Sequence, residues 1–149
     1  DTGNAKVAIL ERAEQAVLDF KTGRATILRL AGLVDAERHP GRFFSGKKDV
    51  TLPESKINLV HKADVLSVIE CVIDQDAQSN IYNIVAPVHP NRQSFYTKAA
   101  SVKGLPLPEF IANTDSDNDT VGKIIVADKF INEFGFQYQY ADLTTWLVE

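Results

Sequence analysis

Apolar residues recur at three- and four-residue steps in several stretches of the chain, which is the spacing of one face of an α-helix. This pattern predicts helices at 5–20, 65–74, 90–102, 127–134 and 143–147. Gly104 follows the third helix, and Gly135 stands at the C′ position of the fourth, where the left-handed backbone of a helix end favours glycine. Asp64 places a negative charge at the positive end of the second helix.

Short apolar runs between these helices have the composition of buried strands. They lie at 25–31, 57–61 and 81–85, and a further short extended segment is predicted at 123–125. From 32 to 55 the pattern breaks and Pro and Gly recur, which predicts a long loop. We expect its part 32–48 to be mobile without a ligand, with only Phe43 and Phe44 as anchors. The order of helices and strands indicates the α/β class.

Composition narrows the possible partners. The 149 residues suit one domain of ordinary size. The net charge of -4, with both signs spread along the chain, argues against a nucleic-acid partner, and no apolar run approaches the roughly 20 residues that span a bilayer. A single cysteine is consistent with a cytoplasmic protein. Because the chain lacks methionine and begins at Asp1, we expect residues 1–149 to be one fragment of a longer protein.

Three motifs resemble known sites but lack an essential residue. The segment 41–48 is close to a phosphate-binding loop, yet Lys48 occupies the position of the required hydroxyl. The acidic segment 115–119 resembles the start of a calcium loop, yet Thr120 and Val126 replace the required Gly and Glu. No pair of metal-ligand spacing occurs among the three histidines, and no Gly-rich dinucleotide turn is present. We therefore assign no metal site.

The pair formed by His61 and Asp64 stands where a predicted strand meets a helix. The structural interpretation is that Asp64 caps or charges the helix while His61 packs nearby. The functional interpretation is that both residues border a ligand cleft, because such joints at strand carboxyl ends commonly do. The sequence alone favours the structural interpretation without excluding the other.

An ordered series of blocks carries a family resemblance. The blocks are Glu11–Glu14 on a helix, the strand and exit Thr26–Val34, Pro40-Gly41-Arg42, Ile57–Val65 with its His-x-x-Asp, Ile81-Tyr82-Asn83, Val88-His89-Pro90 with Phe95-Tyr96, Gly104–Pro108 and Glu133–Phe136. In this order they resemble the C-terminal half of extended short-chain dehydrogenase/reductases of the NAD-dependent epimerase/dehydratase family, including a set of atypical members.

The resemblance implies the C-terminal part of a Rossmann-type epimerase/dehydratase. Residues 1–34 would be the last helix and strand of the dinucleotide-binding core, and 35–149 would be mainly a small substrate-binding subdomain. NAD or NADP would be held by a missing N-terminal half and not by this fragment. Expected partners are a small-molecule substrate such as a nucleotide sugar, and either the missing half or a second copy of the chain. The strand at 25–31 would then lie at a sheet edge, which favours association.

The resemblance also implies which residues border the substrate cleft: Arg29, Gly32, Arg42, Asn58 and His61. Arg42 is the first choice for an anionic group, because guanidinium suits phosphate or carboxylate. Other roles are open for two of them. Arg29 could pair with a local carboxylate, and Asn58 could make a turn or strand-edge hydrogen bond.

The chain departs from the family at the catalytic positions. The family's catalytic Tyr and Lys would fall at Lys6 and Leu10, and Val34 replaces a usual Tyr. No catalytic residue is therefore assigned, and either the protein is an atypical relative or the helix register is different. The first hypothesis is the substrate-binding portion of a sugar-nucleotide epimerase/dehydratase-like protein, incomplete for catalysis. The alternative is a non-catalytic regulatory or interaction domain of the same fold that binds NAD(P) or a metabolite.

Overall fold

The chain forms a mixed structure of helices and short parallel strands, which confirms the α/β class. The computed structural model describes residues 2–20, 23–75, 80–112 and 122–148. In chain order the elements are α1 (Thr2–Leu18), β1 (Thr26–Leu30), β2 (Gly32–Val34), a 3-10 helix (Pro40–Arg42), β3 (Leu59–His61), α2 (Lys62–Asp74), β4 (Asn80–Ile84), α3 (Arg92–Val102), α4 (Asp128–Phe134) and α5 (Leu143–Trp146).

The strands pair in two small parallel sheets. β1 pairs with β4 from Thr26 opposite Asn80 onward, and β2 pairs with β3 so that Val34 lies opposite His61. Ala31 alone separates β1 from β2, and its N–H donates to the carbonyl of Ile84 at 3.0 Å. Within the described ranges β1 has a strand on one side only. It is therefore an edge strand in this part of the molecule, as the resemblance predicted.

Two clusters of buried apolar side chains hold these elements together. The first joins β2, α3 and α5 and contains Val34, Ile57, Leu59, Ala86, Phe95, Tyr96, Ala99, Leu143 and Leu147. The second joins β3, β4, α2 and α4 and contains Val60, Val65, Val68, Tyr82, Ile84 and Phe130. In the second cluster the rings of Tyr82 and Phe130 meet edge to face with centroids 5.3 Å apart.

The prediction of a long loop at 32–55 is wrong in part. This segment contains strand β2 and the 3-10 helix Pro40–Arg42. It is also anchored by buried Val34, His39 and Pro40, besides Phe43 and Phe44. A three-residue strand is too short to show a period. Pro40 was interpreted as loop punctuation, although proline is well suited to the first turn of a helix.

Capping side chains account for the differences at the starts of α2 and α3. α2 begins three residues earlier than predicted, because His61 is its N-cap and accepts a hydrogen bond from the N–H of Ala63 at 3.2 Å. α3 begins two residues later than predicted, because Asn91 is its N-cap and accepts from the N–H of Ser94 at 3.1 Å. The predicted strand at 57–61 shortens to Leu59–His61.

The predicted extended segment at 123–125 contains no strand. Its polar backbone groups pair with a side chain instead, because the amide of Asn58 donates to the carbonyl of Lys123 at 2.8 Å and accepts from the N–H of Ile125 at 2.9 Å. The segment thus gains two hydrogen bonds without a neighbouring strand. The acidic motif at 115–119 lies outside the described residues.

One face of α1 is apolar and uncovered within the described residues. Val7, Ile9, Leu10 and Val17, together with Phe20 just after the helix, are each about half to two-thirds exposed. Isolated exposed apolar side chains are ordinary, whereas a contiguous set on one helix marks a surface that another element covers. The uncovered helix and the edge strand β1 stand next to each other in the sequence.

Candidate functional site

A cleft of about 420 Å³ opens at the carboxyl ends of β2 and β3. It lies between the chain that leaves β2, the first turn of α2 and the C-terminal segment 139–146. Its lining residues are Asp35, Ala36, Glu37, His61, Lys62, Ala63, Leu66, Tyr140 and Trp146. Ligands of open α/β proteins bind at the carboxyl ends of parallel strands, so this is the place where the fold favours a site.

His61 forms the buried floor of the cleft. Its Nδ1 accepts the hydrogen bond from Ala63, so the neutral imidazole carries its proton on Nε2. Its ring centroid lies 4.0 Å from that of Tyr140 and 4.8 Å from that of Trp146. The cleft therefore has an aromatic floor and wall made by three rings, two of which come from the end of the chain.

Asp64 is buried directly behind this floor. Its Oδ1 accepts the N–H of Gln139 at 2.7 Å, and its Oδ2 accepts the N–H of Tyr140 at 3.2 Å. Burial raises the pKa of the Asp64 carboxyl above its ordinary value, although these two N–H groups and His61 act to lower it. The structural interpretation of the pair is correct in that Asp64 stands in the first turn of α2, although His61 and not Asp64 is the N-cap, and a ligand role for either residue remains a prediction. His61 caps α2 and borders the cleft, while Asp64 ties the C-terminal segment to α2.

The charges inside the cleft largely offset one another. Asp35 accepts the N–H of Arg38 at 2.6 Å, and its carboxylate lies 3.4 Å from the ammonium of Lys62. The Arg38 N–H, and to a lesser degree Lys62, hold the pKa of Asp35 below its ordinary value. Glu37 adds a further negative charge at the mouth. The interior is therefore polar and aromatic without a positive excess.

Positive charge lies at the rim instead. The exposed guanidinium of Arg42 donates to the carbonyl of Glu37 at 3.1 Å, and Glu37 lines the cleft. Burial, followed by the charges of Lys103 and Arg42, lowers the pKa of His39. Neither Arg42 nor Lys103 forms an ion pair with a carboxylate in the described part of the chain. Arg42 is thus available for an anion.

The other three predicted site residues do not line the cleft. Arg29 donates to both carboxylate oxygens of Glu14, with Nε 2.8 Å from Oε1. Gly32 packs so closely on β3 that an added Cβ would lie 2.7 Å from Cδ2 of Leu59. Asn58 bonds the 123–125 backbone, as described above. For Arg29 and Asn58 these contacts match the structural alternatives, and a binding role for either remains a prediction.

Sequence reasoning missed most of the cleft. Tyr140 and Trp146 come from the C-terminal part of the chain. Asp35 lies inside the predicted loop, and Lys62 lies between a predicted strand and a predicted helix. One signal was present: aromatic residues recur at 136, 138 and 140, and the only tryptophan follows closely. An aromatic cluster beside a short helix is a reasonable candidate for a ligand wall.

Across residues 2–20, 23–75, 80–112 and 122–148, no group of three or more His, Cys, Asp or Glu side chains could hold a metal ion. In the same ranges no helix has the length and apolar content that crossing a membrane requires.

Comparison with known proteins places the chain among related folds. No family model matches it. Protein YeeZ of Escherichia coli strain K12 is 43% identical over 136 residues, which cover 90% of this chain and 47% of YeeZ. The chain thus spans about half the length of the curated relatives it matches.

Solved structures show the same fold at low identity. A putative NAD-dependent epimerase/dehydratase from Methylobacillus flagellatus superposes with a TM-score of 0.67 at 18% identity, covering 90% of this chain and 48% of that one. The Bordetella bronchiseptica enzyme WbmG, in complex with NAD and UDP, superposes with a TM-score of 0.63 at 16% identity, covering 88% and 45%. The chain is therefore similar to about half of protein YeeZ, and its fold is that of part of an NAD-dependent epimerase/dehydratase.

Proposed function

We propose that this chain is the substrate-binding portion of an NAD(P)-dependent epimerase/dehydratase-like protein and that its cleft receives a nucleotide sugar. The observation that carries the proposal is the aromatic cleft at the carboxyl ends of two parallel strands. The UDP in the WbmG complex supports the choice of ligand class. Residues 1–34 would complete a dinucleotide-binding core, and 35–149 would form most of the substrate-binding subdomain.

The distribution of charge suggests how such a ligand is oriented. A flat ring fits against Tyr140 and Trp146, because aromatic faces pack well on one another and few polar groups lose water in the contact. A phosphate is disfavoured inside, where Asp35 offsets Lys62. It is favoured at the rim, where Arg42 can present a planar fork of N–H donors. We therefore assign ring contact to the cleft and phosphate contact to Arg42.

The remaining predicted residues would support the site indirectly. Arg29 joins β1 to α1 through Glu14, and Gly32 allows the close approach of β2 to β3. Asn58 holds the 123–125 backbone beside β3. In this proposal they keep the strands that carry the cleft in place.

The chain alone would be incomplete for catalysis. Binding of a pyrophosphate needs convergent backbone N–H groups behind a Gly-rich turn, and the sequence contains no such turn. Lys6 and Leu10 stand where the family resemblance places the proton-relay Tyr and its Lys partner. We propose that NAD or NADP binds to the rest of the parent protein, which would also cover the apolar face of α1.

A second candidate is a regulatory or interaction domain that kept the fold and lost the chemistry. The residues at positions 6 and 10 favour it, since Lys6 is not the tyrosine and Leu10 is not the lysine of the family pattern. The two candidates differ in one measurement on the intact parent protein. Bound NAD(P) without turnover of any nucleotide sugar would support the second, and turnover would support the first.

The single tryptophan provides a direct test of the cleft. We expect UDP and a UDP-sugar to change the fluorescence of Trp146 saturably, because Trp146 lines the cleft and no other tryptophan contributes. Arg42→Ala should weaken binding on the order of tenfold by removing a charge-assisted contact. The matched control is Arg12→Ala, an exposed arginine of α1. No saturable change would refute the site, and unchanged affinity in Arg42→Ala would make Arg42 only a loop residue.

Calorimetry with NAD and NADP tests the claim of incompleteness. We expect no tight binding to this chain. Sub-micromolar affinity would show that the cofactor site is already present here, and it would overturn the division between a cofactor half and a substrate half.

A further inference from the structure

We infer that Asp64 is a positioning residue for the cleft: its carboxylate holds the C-terminal segment 139–146 against α2 so that Tyr140 faces His61. This inference rests on the proposed function, because it assigns Tyr140 as a wall of the ligand cleft. It goes further because it names the carboxylate that fixes the position of Tyr140 in this wall.

The contact joins distant parts of the chain at one point. Asp64 and Gln139 are 75 positions apart, and their hydrogen bond of 2.7 Å is accompanied by a second one to the N–H of Tyr140. The carboxylate is 1% exposed, so water does not compete for these N–H groups. The N–H groups of two adjacent residues thus donate to the two oxygens of one buried carboxylate. These two hydrogen bonds fix the backbone position of Tyr140.

The geometry extends from the carboxylate to the rings. Tyr140 carries one of the two bonded N–H groups, and its ring packs against that of His61 with centroids 4.0 Å apart. His61 precedes Asp64 by three positions and caps the same helix. The backbone and the ring of Tyr140 are therefore both held by the first turn of α2. Trp146 completes the arrangement, with its ring 4.8 Å from His61.

A carboxylate is the side chain that this position requires. Two parallel N–H donors need two acceptor oxygens, and an asparagine offers one oxygen and a competing NH2 group. Asp64 also stands in the first turn of α2, where a negative charge interacts favourably with the helix dipole. Burial opposes the charge and raises the pKa of Asp64, so the hydrogen bonds and the dipole act against a real desolvation cost.

Asp64→Asn tests the inference, because it keeps the shape of the side chain and removes one acceptor. We expect amide hydrogen exchange at Gln139 and Tyr140 to accelerate on the order of tenfold or more in the whole chain. The nuclear Overhauser contacts between His61 and Tyr140 should weaken. The affinity for a UDP-sugar, followed by Trp146 fluorescence, should fall by a similar factor. Amides of β4 should keep their protection, which shows that the fold persists.

The matched control is Asp35→Asn, which alters a carboxylate of the same cleft that bonds Arg38 and not the C-terminal segment. It should leave exchange at Gln139 and Tyr140 unchanged. If Asp64→Asn also leaves that exchange and the His61 contacts unchanged, the inference is wrong. A different outcome is that neither the unaltered chain nor Asp64→Asn binds the UDP-sugar, while exchange at Gln139 and Tyr140 accelerates in Asp64→Asn as expected. The positioning role of Asp64 is then supported, and the proposed ligand is wrong.

If Asp64→Asn does not fold, the inference can be tested on the unaltered chain. The amide resonances of Gln139 and Tyr140 should shift with pH along the same curve as the carboxyl carbon of Asp64, because the carboxylate accepts both N–H groups. The inference is wrong if these amide resonances do not shift while Asp64 titrates.

Discussion

The imidazole of His61 and the phenol ring of Tyr140 face each other with centroids 4.0 Å apart and their planes tilted by 46°. Tyr140→Leu should weaken binding of a UDP-sugar on the order of tenfold, because it removes one aromatic wall of the cleft. Tyr140→Phe keeps the ring and should bind almost as well. Titration monitored by Trp146 fluorescence compares the two, and equal losses in both variants would assign the effect to the hydroxyl.

Acid should destabilise the fold through His39. This buried ring accepts the N–H of Gly41 through Nδ1, and burial together with Lys103 and Arg42 lowers its pKa in the folded state. The unfolded chain, with an ordinary histidine pKa of about 6.5, therefore binds more protons in the window below that value. The free energy of unfolding should fall as the pH drops from about 6.5 towards the folded pKa of His39.

His39→Asn separates the titration from the cap, since asparagine is a good capping acceptor that does not ionise in this range. Urea unfolding at about pH 7.5 and about pH 5.5 should show a smaller loss of stability in the variant than in the unaltered chain. An equal loss in both proteins would place the acid sensitivity elsewhere.

Gly41 allows the 3-10 helix to touch α3 through the backbone. A Cβ at this position would lie 2.4 Å from the carbonyl oxygen of Ala99, which is closer than real contacts allow. Gly41→Ala should lower the free energy of unfolding by about 1–3 kcal/mol or more, because this is the usual cost of overpacking. Gly23→Ala is the control, because nothing lies within 4 Å of the added atom. Urea midpoints compare the two, and a neutral Gly41→Ala would mean that the 3-10 helix moves away freely.

The uncovered face of α1 should make this chain associate with itself or with the rest of its parent. Leu10 is 64% exposed on that face. Leu10→Glu should reduce association, whereas Arg12→Gln makes the same change in net charge and should not. Light scattering across a range of concentrations measures the effect. A stable monomer of the unaltered chain, with no N-terminal fragment co-purifying, would contradict this prediction.

Elements with a clear period could be predicted from the sequence. The helices and the strand β1 were found because their apolar residues repeat over many positions or form one buried run. β2 and the 3-10 helix have three residues each, which is too short for either pattern to repeat. Their formation depends on partners that are distant in sequence, such as β3 and Ala99.

The residues of the candidate site also divide into those with a local sequence signal and those placed by distant contacts. His61 was found because it stands at a strand-to-helix joint, a local feature of the sequence. Tyr140 and Trp146 were missed because their place beside His61 is set by the long-range contact of Asp64 with the 139–146 backbone. Asn58 illustrates the converse: the family resemblance implies that it borders the cleft, whereas its amide bonds the backbone of Lys123 and Ile125, and a binding role for it remains a prediction.

The single residue between β1 and β2 has a consequence for insertions and deletions. Because Ala31 alone links the two strands, its position sets how β2 aligns with β3 once β1 is aligned with β4. An added residue here would leave the first sheet intact and shift the second by one, which would turn Val34 out of the core and move the strand end that borders the cleft. At this position the chain is more sensitive to a change in length than to a change in side chain.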